Sequence, residues 1–314
     1  MDVSAMDFCV RVPGSCGELL QGWHRGEPFL VTCPIARYTT VEVSSAFQGR
    51  EGLGEKAERA FSMILSCLGV QEFPYGLRLR SELPQGKGMA SSSADIAAVV
   101  AAVSYALHRP LTPRQILALA VQIEPTDATF LPGIVCLNQV NGRILAVYDH
   151  LPYLPVSIFD TGGTIATADF YRLNAQKKEE RDWSDVLLRL QQGERGLAAA
   201  AVQSALWQEK FLPKRCLRPL LEEAKTLGAL GITAAHSGTV LGVLWPLSMT
   251  KAQILSGVSR LRCFLPQLAY LGTTAMRSGG IEIDVKGKDS KDKDRSEGDE
   301  KDGNSSFCAW RQYL

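Results

Sequence analysis

The stretch Ala94 to Leu107, ADIAAVVAAVSYAL, is apolar almost all the way round. A helix of that composition offers no face to water, so it must be buried. Immediately before it stands Pro84-Gln85-Gly86-Lys87-Gly88-Met89-Ala90-Ser91-Ser92-Ser93. Before that, Tyr75 to Leu83 alternates apolar and polar residues, which predicts a strand. A strand that runs into a glycine loop and then a helix can make an anion site. Gly86 and Gly88 let backbone N–H groups face inward. The helix N-terminus adds unpaired donors and partial positive charge. Ser91 to Ser93 can cap the helix or bind a metal carried by phosphates, and Lys87 can add a full charge. The loop is not a Walker A sequence, and Ser91 breaks a Gly-x-Gly-x-x-Gly pattern. Taken alone, the segment fits an ordinary Gly/Ser turn with a Ser cap equally well.

The rest of the chain alternates between the two periodicities. Phe8 to Val12 predicts a strand ending at the Pro13-Gly14 turn, and Phe29 to Val43 one or two strands broken near Pro34. Glu55 to Leu68 carries one apolar helical face. Thr112-Pro113 is an N-cap followed by proline at the first helical position, opening a helix to about Glu124. Ile134 to Val147 predicts a hairpin with Asn141-Gly142 as its turn. Val156 to Asp160, Val240 to Trp245 and Ile281 to Val285 predict strands. Trp183 to Gln208 and Pro213 to Leu227 predict helices. Strands, then helix, then strands in each half indicate α+β domains, with a boundary near residue 150 at the proline-punctuated His150 to Pro155.

Composition excludes several function classes. Thirty-four basic and 33 acidic residues leave a net charge of +1, against a nucleic-acid partner or a polybasic membrane-surface protein. No run of 18 uncharged apolar residues predicts a membrane span, and the first residues lack the pattern of a signal peptide. Eight cysteines without Cys-x-x-Cys or zinc-ligand spacing suggest a reducing cytoplasm and mostly buried thiols. Of the 17 residues from Lys286 to Asp302, 13 are charged, which predicts a solvated, disordered segment.

Glu124 and Asp127, three apart at a helix C-terminus, form a second chemical cluster. The helix dipole disfavours carboxylates there, so a bound cation would reward the placement.

Pro84 to Ala94 resembles the second motif of the GHMP small-molecule kinases, Pro-x-x-x-Gly-Leu-Gly-Ser-Ser-Ala-Ala. Met89 stands for Leu, Ala90 for Gly and Ser93 for Ala. Pro13-Gly14-Ser15-Cys16-Gly17-Glu18-Leu19-Leu20-Gln21-Gly22 resembles the first motif. Ala235-His236-Ser237-Gly238-Thr239-Val240-Leu241-Gly242 is similar to the glycine-rich third. These three ordered motifs make the resemblance cover nearly the whole chain except the charged segment. Cys16 to Gly22, Cys33-Pro34-Ile35, Glu124 to Asp127 and Asp160 to Gly163 look like signatures of the branch that phosphorylates L-threonine for the aminopropanol phosphate arm of cobalamin.

The resemblance implies an α+β, two-domain architecture. An N-terminal ATP-binding domain would span 1–150 and a ferredoxin-like C-terminal domain 151–285, followed by the charged segment 286–306 and a C-terminal end 307–314. It implies ATP held by Pro84, Gln85, Gly86, Lys87, Gly88, Met89, Ala90, Ser91, Ser92 and Ser93. Mg²⁺ would lie between Ser92 and Glu124, and Asp127 would take the proton from the substrate hydroxyl. Many relatives carry a cation directly after the first motif's Pro-Gly, where this chain has Ser15; Lys87 is the substitute. The implied protein is a cytoplasmic kinase of a small molecule, with the oligomeric state open, a homodimer included. The alternatives are a homoserine kinase, another hydroxy-acid kinase of the family, or a non-catalytic sensor on the same fold. Glu18 fits a residue that shapes the substrate pocket and a buried turn residue equally well, and His236 reads as a structural hydrogen-bond partner rather than an acid or base. Arg37, Asp160 and Thr161 are weaker candidates for contacts to the carboxylate or ammonium of an amino acid, and Cys16 and Cys33 read as packed small residues, not nucleophiles.

Overall fold

The computed structural model describes residues 7–163 and 179–285, and the backbone of 308 and 309. The charged stretch 286–302 lies outside the described residues. The fold is built on two 18-residue strands, β1 (Asp7–His24) and β2 (Glu27–Ser44), paired antiparallel from Asp7 opposite Ser44 to His24 opposite Glu27. Arg25 and Gly26, both at positive φ, make the two-residue turn between them, the geometry that matches strand twist. The strand predicted to stop at Pro13-Gly14 continues instead. The ladder shifts register between Pro13 and Ser15, between Ser15 and Glu18, and between Glu18 and Leu20. Bulges of this kind absorb a proline and re-aim side chains without ending the strand. Pro34 likewise does not divide β2, because it pairs opposite Ser15 within the irregular stretch.

β3 (Arg50–Glu51) and β4 (Gly76–Ser81) extend the sheet beyond β2, and β5 (Ile134–Asn138) with β6 (Arg143–Tyr148) forms the predicted hairpin against β2. On the other side of β1 lie β7 (Pro155–Asp160), β8 (Gly231–Ala234), β9 (Val240–Leu244) and β10 (Ala269–Ala275), in the order β10-β7-β9-β8-β1-β2-β4-β3. β11 (Glu282–Val285) pairs with β1 over Phe8 to Arg11 and with β12 (Cys308–Ala309).

Three helices serve the first half. α1 (Glu55–Leu68) buries Ala57, Ala60, Phe61, Ile64 and Leu65, the predicted face. α2 (Ser91–Ala106) is buried at every position except Ser92 and Tyr105. It packs on β1, β2 and β4 and between α1 and α3 (Pro113–Ile123). α3 opens with a capping box in which Thr112 and Gln115 satisfy each other's backbone N–H, worth about 1 kcal/mol. In the second half the predicted Trp183 to Gln208 helix is two helices, α4 (Ser184–Arg189) and α5 (Gly193–Gln208), divided at Gly193 with φ +70°. α6 (Leu217–Thr226) and α7 (Lys251–Phe264) are the remaining helices among the described residues.

The described hydrophobic residues form two cores. One surrounds α2; the other joins Leu217, Leu220, Ile232, Trp245 and Leu261 between α6, α7 and the second-half strands. Of the seven described cysteines, Cys16, Cys33 and Cys136 are buried, while Cys67 and Cys263 are exposed. Mostly buried thiols are therefore not what the fold contains. None of the helices among the described residues is long and apolar enough to cross a membrane.

Candidate active site

The bulged part of β1, the loop before α2 and the segment between β8 and β9 meet through glycine. Ser15 N–H donates to the Met89 carbonyl (3.0 Å) and Gly17 N–H to the Gly88 carbonyl (3.3 Å). Thr239 and Val240 N–H groups both donate to the Lys87 carbonyl, at 2.9 and 3.1 Å. A Cβ on Gly238 would overlap the backbone of Lys87 and Gly88, and one on Gly88 would overlap the Ala235 side chain. Gly88 also holds φ +79°. Its first role is thus close packing between loop and β8–β9 segment, beyond the inward-facing amides expected from sequence. The three sequence motifs, more than 200 residues apart at their ends, are one structural unit.

Under this unit lies a cavity of about 370 Å³. Gly86, Gly88, Met89, Ala90 and the first three residues of α2 form one wall, Gly54 to Ala57 and Gln85 another, and Glu18, Asp95, Glu124, Asp127 and Ser237 complete it. The α2 N-terminus opens on it, with Ala90 at positive φ as N-cap and no side chain capping it. Its first N–H groups have no acceptor within the helix, so the wall is a donor surface for anions. Ser92 Oγ is buried there without a partner among the described residues.

Glu124 is the C-cap of α3, and its side chain is 9% exposed and paired with Lys56. The next turn is pinned: Thr126 N–H donates to the Gln139 carbonyl (3.0 Å), and Asp127 N–H to Ser93 Oγ (3.0 Å). Ser93 Oγ in turn faces Asp127 Oδ2 at 3.4 Å. Burial, with Glu18 and Glu124 nearby, pushes the Asp127 carboxyl up to about 8, against the Ser93 bond. Burial and Glu124 also raise Asp95, to about 6, although Thr39 Oγ1 donates to it at 2.7 Å. Glu18 is 5% exposed, and its Oε2 accepts from both His236 N–H (2.9 Å) and His236 Nδ1 (2.5 Å).

The structure thus brings Ser91, Ser92, Ser93, Glu124, Asp127 and Glu18 to one cavity. Gln85, Gly86, Gly88, Met89 and Ala90 line it as well, whereas Pro84 does not, and the remaining sequence candidates are engaged elsewhere. Lys87 Nζ is ion-paired with Asp160 (2.6 Å), donates to the Gly163 carbonyl (2.6 Å) and does not line the cavity. Burial works against the Asp160 carboxylate, yet hydrogen bonds from Lys87, Thr239 and Gly162 hold it below the usual range. Thr161 donates its N–H and hydroxyl to the Thr239 carbonyl. Arg37 is bound to the Leu271 carbonyl of β10. The Cys16 thiol, pushed up to about 12 by burial, and the Cys33 thiol, raised well above its ordinary value by burial, are packed and unreactive. Sequence reasoning passed over Lys214, whose ammonium donates to the Gly238 carbonyl. Burial lowers it to about 8, with Glu18 opposing the fall. No local motif marks such a residue, because only the tertiary fold buries it.

The family model "GHMP kinases N terminal domain" matches residues 55–131. The chain is 31% identical over 248 residues to the L-threonine kinase of Citrobacter freundii, covering 74% of this chain and 85% of that protein. This chain belongs to the GHMP kinases. It is therefore an ATP-binding phosphotransferase acting on a hydroxyl group. It is 24% identical over 271 residues to the homoserine kinase of Enterococcus faecalis, covering 79% of this chain and 91% of that one. The fold matches Methanococcus jannaschii mevalonate kinase with a TM-score of 0.65 at 13% identity, over 88% of this chain and 100% of that one. The α+β architecture read from the sequence is that of the family.

Proposed function

We propose that this GHMP kinase transfers the γ-phosphoryl of ATP to the hydroxyl of L-threonine, giving O-phospho-L-threonine for the aminopropanol phosphate arm of cobalamin. The observation that carries the reading is Asp127, enclosed in the same cavity as the α2 N-terminus with its carboxyl displaced towards neutral pH. A carboxylate tuned that way suits a group that accepts a hydroxyl proton. The likeness to the Citrobacter L-threonine kinase supplies the choice of acceptor.

In this reading the loop from Gln85 to Ser93 cradles the triphosphate through backbone N–H groups at the α2 N-terminus. The buried Ser92 hydroxyl, without a partner among the described residues, and the Glu124 carboxylate are oxygen donors that fit Mg²⁺ and would hold it. Bound there, Mg²⁺ would supply neutralisation of phosphate charge. Ser93 and the Gln139 and Thr32 contacts of the 126–128 turn hold Asp127 in line with that wall. Asp127 orients the acceptor hydroxyl and takes its proton, the positioning that phosphoryl transfer mainly demands. Lys87, tied to Asp160, steadies the loop and the start of the 161–163 segment rather than acting alone as the loop's charge. The division at residue 150 fits this reading, with the nucleotide wall in 1–150 and the Gly238 clamp supplied by 151–285. The cytoplasm is the compartment such a metabolic kinase implies.

The test is ADP release from ATP, Mg²⁺ and L-threonine, with mass spectrometry of the product. O-phospho-L-threonine supports the reading; ADP release that does not depend on any hydroxylated acceptor contradicts it.

A further inference from the structure

The cavity must hold a polyanion, yet most of the charge on its walls has the wrong sign. Five carboxylates line it, Glu18, Glu55, Asp95, Glu124 and Asp127, and among the described residues one cation, Lys56. Lys87, the cation expected from the sequence, is paired with Asp160 and stands outside the lining. Backbone donors are present on two walls. One is the α2 N-terminus; the other is that of α1, where Gly54 is the N-cap, no side chain caps the helix and residues 54–57 line the cavity. Helix termini carry partial charges only, so the rest of a triphosphate's charge falls to a metal ion and to Lys56.

Lys56 stands in the first turn of α1, where the helix dipole disfavours an ammonium. Its Nζ donates to Glu124 Oε2, on the C-cap of α3, and that bond offsets the unfavourable placement. The two partners are unequally held. The Glu124 side chain is 9% exposed and that of Lys56 44%, and a flexible four-carbon stem lets the ammonium turn without disturbing α1. Among the described residues the ammonium bonds to Glu124 alone, so two of its three N–H donors are open. A dication on Glu124 would stand beside that ammonium and repel it. The ammonium then needs another anion, and a nucleotide phosphate in the same cavity is one.

We propose that Lys56 is the side-chain cation for the nucleotide's phosphates, holding Glu124 before ligands bind and exchanging that bond for one to phosphate when metal and nucleotide bind together. The exchange makes the two ligands help each other, because the metal frees Lys56 and the nucleotide frees Glu124. The proposal rests on the reading that Ser92 and Glu124 hold Mg²⁺.

The test measures binding rather than turnover. ATP affinity is read by isothermal titration calorimetry in EDTA, and Mn²⁺ affinity without nucleotide by electron paramagnetic resonance. The proteins are the parent, Lys56→Met, Lys56→Arg, Glu124→Gln and the double variant Lys56→Met/Glu124→Gln. Lys56→Met should weaken ATP binding about 10-fold, the lower range for a charged hydrogen bond, as suits a half-exposed group. It should bind Mn²⁺ several-fold more tightly than the parent, because nothing competes for Glu124. Lys56→Arg should retain most of the parent's ATP affinity. The double variant separates a phosphate contact from mere screening of Glu124: the loss of ATP affinity should persist when Lys56→Met is made in Glu124→Gln. Disappearance of the loss in that background, or an unchanged ATP affinity in Lys56→Met, would overturn the proposal. So would weaker Mn²⁺ binding by Lys56→Met. If Lys56→Met does not fold by circular dichroism, Lys56→Gln carries the same comparisons. Equal Mn²⁺ binding by the parent and Glu124→Gln would overturn the metal reading, and the exchange with it, while the ATP affinities in EDTA judge Lys56 separately.

Discussion

Replacing Asp127 by Asn removes a charge from the place where the protein tolerates it least. Of the carboxylates that line the cavity, Glu18 and Glu124 act on Asp127, and burial with these two neighbours lifts it from 3.8 to about 8. A carboxyl whose value is raised on folding holds its proton more tightly in the folded state. Folded protein then binds more protons than unfolded protein between the two values, so stability falls as pH rises through that window. Each unit of displacement corresponds to about 1.4 kcal/mol. The repulsion is shared among three groups, so deleting one charge relieves a fraction of the sum, about 1–3 kcal/mol at pH 8. For a chain of this length that is a gain in Tm of roughly 2–6 °C. The assay is scanning calorimetry of nucleotide-free and metal-free parent and Asp127→Asn from pH 5 to pH 8.5. The variant should be close to the parent at pH 5 and increasingly more stable towards pH 8. Its turnover should fall by roughly 10²- to 10⁴-fold, the share of a general base, with KM for ATP retained. A Tm difference that does not vary with pH, or a variant less stable than the parent at pH 8, would refute the crowding of carboxylates around Asp127.

Three further outcomes follow from the same geometry. Glu124→Gln should raise the Mg²⁺ concentration for half-maximal activity by at least about 10-fold, as loss of a metal-orienting group does; an unchanged Mg²⁺ titration would remove Glu124 from the metal site. Gly238→Ala should cost about 1–3 kcal/mol of stability, because its Cβ must displace the Lys87–Gly88 backbone, and should raise KM for ATP; a variant with unaltered Tm would show the seam is looser than described. Iodoacetamide at neutral pH should label Cys67 and Cys263 in the folded protein, leaving Cys16, Cys33 and Cys136 until it unfolds; early labelling of Cys16 would contradict its packing against Gly242 and Thr233.

Local physics made much of this fold legible. α1 and α3 lie where the 3.6-residue pattern and the Thr112-Pro113 cap put them, and the all-apolar 94–107 stretch is the buried centre of the first core. Other elements lacked a strong local signal. β8 is four residues long, and β10 spends two of its seven on Thr and one on Gly. α7 has a capping box at Thr250 and Gln253 but an indistinct apolar face, and went unread. The continuation of β1 through Pro13-Gly14 depends on bulges that only the partner strand and the loop of α2 stabilise. The same division runs through the site. The glycine loop, Ser92, Glu124 and Asp127 lie in short motifs, so their chemistry could be read in sequence. The Glu18–His236 bond joins residues 218 positions apart, and Lys214 belongs to no motif at all.

The central claim is that this kinase acts on an amino acid whose hydroxyl is fixed relative to Asp127. L-Threonine and L-homoserine share their atoms but place the hydroxyl on different carbons. A displacement of about 1 Å can cost on the order of 10²-fold. L-Serine keeps the hydroxyl in place and loses only a methyl group, roughly 1–3 kcal/mol. The most direct measurement is kcat/KM for ADP release with each of the three. The predicted order is L-threonine, then L-serine, then L-homoserine; phosphorylation of L-homoserine in preference to L-threonine would contradict it.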